Sequence, residues 1–265
     1  MVRTTLCSSL GPQRKKKSTV NTSSSRLDVD IFSLTILSHL PFHYFLTTFY
    51  GISFRTSALC LLADVAAIEL PFFLLRARAP VHNPNAPKAA VPNRNLINDL
   101  PVRAVTTLLA AAIYSVIIYG SFATWLPVHL AVHFDGLRSL EKAHGAALPA
   151  LMLTFVPLGY AARDFLFSSS EGAQKSLGDI RAEAFNPATA SLAQTVRHNL
   201  WGWDKRVRVL IQRTLTLASL SAANTFVRTY SVIEGSEAWG AAGWAAVWAV
   251  ASLVTGAVFA WVEEP

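Results

Sequence analysis

Five polar side chains fall inside stretches otherwise suited to hydrocarbon: Asp64, Glu69, Arg213, Asn224 and Arg228. An ionisable group held in a bilayer is costly, so each marks either a functional site or an interhelical pair. Asp64 and Asn224 share a depth, and Arg228 is placed to reach down toward Asp64. Glu69 and Arg213 share the other half of the membrane and are expected to pair likewise. Two chemistries follow. The pairs are polar clamps between the second and fifth apolar stretches, or they line a path for a proton or a small solute.

Histidine offers a second chemistry. His39 and His43 are four apart around Pro41, and His129 and His133 repeat the spacing, followed by Asp135. An i, i+4 pair on a helix presents two imidazoles to one metal. The two pairs lie at different depths, however, and Pro41 distorts the first, so interfacial and packing roles are expected and no cofactor is assigned. A nucleophile elbow, a phosphate-binding P-loop and a dinucleotide-binding glycine motif are all missing. Ser168-Ser169-Ser170 reads as an exposed loop.

A third group is the stretch from Arg197 to Thr214, with Arg197, Trp201, Trp203, Lys205, Arg206 and Arg208 ahead of an apolar run. Tryptophan with clustered basic residues suits the membrane–water boundary. The group either anchors the chain or recognises anionic lipid headgroups or a protein partner.

The elements that position these residues are membrane spans. The chain of 265 residues is 52% apolar and 15% charged, with a mean hydropathy of +0.37. Soluble domains carry about 25% charge. The apolar residues fall in blocks the length of a bilayer core, about 20 residues. Six are expected, over 31–52, 56–75, 104–125, 146–167, 209–230 and 239–262, giving an all-α polytopic membrane domain over 31–265 behind a disordered basic tail, 1–30. Pro41 and Pro71 interrupt the first two, and Pro149 and Pro157 bend the fourth. The proline- and asparagine-rich stretch 79–101 is an extended loop. Asn186 and Pro187 open an amphipathic helix, 187–202, on the cytoplasmic face, with Leu192, Val196 and Leu200 on one stripe. Gly202 ends it, and Asp204 caps the next helix.

Charge orients the spans. Of the 23 Lys and Arg residues, 19 flank one side and four (Arg55, Arg138, Lys142, Arg228) the other. This places both termini on the cytoplasmic side and accounts for the net charge of +7 without a nucleic-acid partner. Cys7 and Cys60 cannot make a disulfide framework. On the last span Ala245, Ala249, Ser252, Gly256 and Ala260 form a small-residue face, expected against the bundle or against a membrane-protein partner.

The expected function is a non-catalytic scaffold, assembly factor or adaptor of the endoplasmic reticulum or another endomembrane, with the mitochondrial inner membrane as the alternative location. The competing functions are a small-solute or proton-coupled transporter using Asp64 and Glu69, and a lipid-modifying enzyme.

Overall fold

A computed structural model describes residues 28–75, 91–145, 147–176, 178–180, 185 and 190–263. Among these residues the fold is all-helical, and β pairing is limited to one isolated bridge between Phe134 and Ser236. The long helices are α1 (Asp28–Phe49), α2 (Phe54–Leu75), α4 (Leu100–Ala123), α11 (Lys205–Val232) and α12 (Ala238–Glu263). Shorter ones are α3 (Arg94–Asn98), α5 (Leu126–His133), α6 (Glu141–His144), α7 (Leu148–Thr154), α8 (Val156–Phe165), α9 (Phe167–Glu171) and α10 (Leu192–Trp201).

Three helical segments are long and apolar enough to cross a membrane, Val29–Phe49, Leu100–Ala123 and Ala238–Val262. A fourth candidate is broken: α7 meets α8–α9 at 55°. Pro157 lies in the first turn of α8, where its missing N–H and its ring end the helix before it. The bend expected in the fourth apolar block is therefore a true break at Phe155. Ser168 and Ser170, expected in an exposed loop, are buried in α9. The stretch expected to be extended through 101 becomes helical at α3; residues 76–90 lie outside the described residues.

α1, α11, α12, α4 and α8 pack in a closed ring, each against the next, and α2 lies outside it on α1. The ring closes on aromatic side chains. Trp244 and Trp248 are buried with ring centroids 5.7 Å apart. Tyr44, Phe45 and Phe49 of α1 meet Trp244 at 6.3, 5.1 and 5.9 Å. Phe155, at the break, meets Trp248 edge-on at 5.8 Å. Such rings bury large areas and add orientation-dependent attraction.

Pro41 explains how α1 joins its neighbours. Proline has no N–H, so the carbonyl of Leu37, four residues back, loses its helical donor. The Ser221 hydroxyl of α11 donates to that carbonyl at 3.3 Å, and Trp244 Nε1 donates to the carbonyl of Pro41 itself at 3.2 Å. Neighbouring helices thus satisfy the disturbed backbone, as the dry interior of a membrane requires.

Two of the close helix approaches in the ring depend on glycine. A Cβ on Gly159 would sit 2.5 Å from the Thr107 carbonyl of α4, and one on Gly256 would sit 2.2 Å from Thr214 Oγ1 of α11. The small-residue face of α12 is spent there. Ala245, Ser252 and Gly256 are buried inside the chain, and Ser252 bonds Tyr114 OH at 2.9 Å. Ala249 and Ala260 of the same face remain partly exposed.

Candidate functional site

The polar residues singled out in the apolar stretches gather at two levels. At one, Arg228 Nη1 of α11 donates to Asp64 Oδ2 of α2 at 2.6 Å, and His43 Nε2 of α1 donates to the same oxygen at 3.3 Å. α2 and α11 are joined across α1, with His43 behind the pair. The His43 ring is buried, whereas Asp64 and Arg228 remain 31% and 28% exposed at the ring's outer surface. With Nε2 donating to the carboxylate, Nδ1 carries the lone pair, and it is buried without a donor among the described residues. Around this cluster Asn224 Nδ2 donates to the Ser38 carbonyl at 2.8 Å, and the Ser57 hydroxyl of α2 donates to the His43 carbonyl at 3.2 Å. The Asp64–Arg228 contact matches the sequence expectation. His43, considered there as a metal ligand, is the third member that went unforeseen.

At the second level the expected pair of Glu69 with Arg213 is not the one found. Arg213 makes two bonds to Asp30 at the start of α1, at 2.9 and 2.6 Å. It also donates to the Phe165 carbonyl at 2.9 Å and lies over the Phe165 ring. A guanidinium is a planar fork that matches a carboxylate bidentately, and Asp30 is in register with it. Asp30 had been assigned to the tail; α1 starts at Asp28 and brings it in.

The basic stretch is similarly committed. Arg208 pairs with Asp179 at 2.7 Å, and Arg206 lies 3.5 Å from Glu171. Asp179 also accepts the backbone N–H of Lys205 at 3.1 Å, so it caps α11 from 26 residues earlier in the chain. Asp204 occupies the N-cap position, but its side chain makes no cap bond, which corrects the expectation. Burial alone would raise the Asp179 carboxyl. The N–H and hydroxyl of Ser176 and the Arg208 guanidinium outweigh it and hold the group below its ordinary value. Trp203 is exposed. The side chains of Arg197 and Trp201 lie outside the described residues, as do Asn186 and Pro187. α10 begins instead on a reciprocal capping box: Ser191 N–H to Gln194 Oε1, and Gln194 N–H to Ser191 Oγ.

The remaining histidines are engaged one by one. His39 Nδ1 bonds the Thr35 carbonyl at 2.9 Å. His129 Nε2 bonds the Trp239 carbonyl at 3.0 Å, and His133 Nδ1 bonds Glu237 at 2.6 Å. The last two, with the Glu237 N–H to His133 carbonyl bond, clasp α5 to the start of α12. Among the described residues no group of three metal-ligating side chains converges.

Residues 99–259, more than half of the chain, match the family model described as the Bouquet formation protein 3 C-terminal domain. The chain belongs to this family. The match takes in α4 through most of α12 and leaves α1 and α2 outside. The family boundary therefore cuts across a packed core, since Phe45 and Phe49 of α1 lie against Trp244 of α12. No curated protein and no solved structure matches the chain.

Proposed function

We propose that this protein is a non-catalytic, multi-pass scaffold or adaptor of the nuclear envelope and the endoplasmic reticulum continuous with it, working in a complex with other membrane proteins. The observation that carries the reading is family membership. Bouquet formation is an assembly process, the tethering of meiotic telomeres, and the family acts in a protein complex at the nuclear envelope. Nothing in the family supports the mitochondrial alternative.

In this reading the chain crosses the bilayer six times. α2 and α11 add to the three long apolar helices and the broken pair, and both termini lie on the basic, cytoplasmic or nucleoplasmic side. The basic tail precedes a single membrane domain that begins with α1, slightly ahead of the expected boundary at 31. The Asp64–Arg228–His43 and Arg213–Asp30 clusters are clamps that fix α2, α1 and α11 in one arrangement. The competing reading, a proton or solute path, draws on the unpartnered Nδ1 of His43 behind a half-exposed ion pair.

The deciding experiment images the full chain tagged at its natural level and identifies proteins cross-linked to it in meiotic cells. Concentration at the nuclear envelope with membrane-protein partners, and failed telomere clustering when the chain is removed, are expected. A mitochondrial pattern, or normal clustering without the protein, overturns the assignment. Asp64→Asn separates clamp from path: a clamp loses assembly and stability, whereas a path loses transport with folding intact.

A further inference from the structure

A groove of about 520 Å³ opens where four helical segments end together: the start of α4, α9, the start of α11 and the end of α12. Its walls are Val102 and Val105 of α4, Phe167 of α9 and Val262 of α12. At one end stand Asn93, Glu171 and Arg206. The size and the mainly apolar lining with a few convergent polar groups are those of a small-molecule site.

The charge at the polar end is unevenly used. Glu171 is buried and accepts from Asn93 Nδ2 at 2.5 Å and, more weakly, from Arg206 Nη1 at 3.5 Å. A guanidinium has five N–H donors. Among the described residues Arg206 spends one of them on a long contact, and it is 35% exposed at the groove. Glu171 orients it without consuming it. The groove also opens onto the apolar outside of the molecule, since Leu96, Val105 and Val262 of its lining are exposed. A hydrocarbon chain can enter sideways without crossing water. An apolar slot open to the membrane side, with an under-used guanidinium at its headgroup end, fits one kind of occupant.

We propose that this groove holds one anionic phospholipid from the adjoining leaflet, with an acyl chain against Val102, Val105, Phe167 and Val262 and the phosphate on Arg206. The site differs from a diffuse basic anchor because Arg208 and Arg213, its neighbours on α11, are already paired with Asp179 and Asp30.

The test uses the full chain reconstituted in phosphatidylcholine vesicles containing phosphatidic acid with a photoreactive acyl chain, and maps the labelled residues by mass spectrometry. Groove residues are expected to be labelled above Leu59 and Leu62 of α2, which report ordinary surrounding lipid. Val262→Trp fills the slot and should abolish that excess; Val105→Trp, at a more exposed position, serves if the first variant unfolds. Arg206→Gln should lower groove labelling by about fivefold, the effect of about 1 kcal/mol for one basic residue at a membrane surface. A photoreactive phosphatidylcholine probe should show a smaller loss in the same variant. Equal labelling of groove and α2, or labelling unchanged by both tryptophan variants, means surrounding lipid only and overturns the site. Labelling insensitive to Arg206→Gln overturns the phosphate contact.

Discussion

α1 and α2 are each 22 residues long and lie side by side, yet they are built inside out relative to each other. α1 is buried and carries Asp30, Ser33, Thr35, Ser38, His39, His43 and Thr48 in the interior. α2 touches little but α1 and turns Leu59, Leu62, Leu70 and Leu74 outward, each more than half exposed. In a soluble protein the polar helix would take the outside. A hydrocarbon surrounding would favour this inversion: polar groups must then find partners within the protein, and leucine costs nothing at the surface.

The comparison can be broken most severely at the aromatic core that α1 helps to enclose. Trp244→Ala removes the ring touching Tyr44, Phe45 and Phe49, and should cost about 3–5 kcal/mol, read as thermal unfolding in detergent. Next, Leu62→Lys puts a charge on the outward face near the middle of α2. If that face meets lipid, membrane insertion of α2 is penalised by about 3 kcal/mol, visible in a glycosylation insertion assay. Insertion at the parental level would mean that α2 faces water.

Asp64→Asn leaves Arg228 facing a neutral amide and should lose about 1–3 kcal/mol. Arg228→Gln added to it should recover part of the loss, because the pair is then removed together. A purely additive double variant would deny the clamp. The smallest effect lies outside the membrane. Asp179→Asn should weaken the cap and the Arg208 pair by about 1 kcal/mol. The pH direction follows from the lowered Asp179 value. Its contribution is complete above the unfolded value of about 3.9 and is lost as the pH falls through the lower folded value. Melting temperature should therefore drop less steeply on acidification in the variant than in the parent, with no divergence between pH 5 and 8.

Local pattern made much of this visible. Hydropathy blocks located the long helices within a few residues, and Pro157 marked where the fourth block breaks, whereas Pro149 opens α7 instead of bending it. The Asp64–Arg228 contact followed from depth alone, because opposite charges in hydrocarbon have few alternatives. Depth does not give rotation about a helix axis or neighbour order, and the misses are of that kind. Arg213 was matched by depth to Glu69, but α1 stands beside α11 and supplies Asp30. The small-residue face of α12 was legible as a close-packing surface, yet only the ring order assigns it to Thr214 and Tyr114. Asp179 caps α11 from the far side of α10, a pairing that no sequence spacing encodes.

The bond from Asn224 to the Ser38 carbonyl joins residues 186 apart in the chain. At synthesis rates of 5–20 residues per second, roughly 10–40 s pass between the appearance of one partner and the other. During that interval the Leu37 and Ser38 carbonyls and the Asp30 carboxylate of α1 lack the partners that α11 supplies, while its eventual neighbours α8, α11 and α12 have yet to be made. α1 must therefore be sheltered by the insertion machinery, or by α2 alone, until the last third of the chain emerges to complete it.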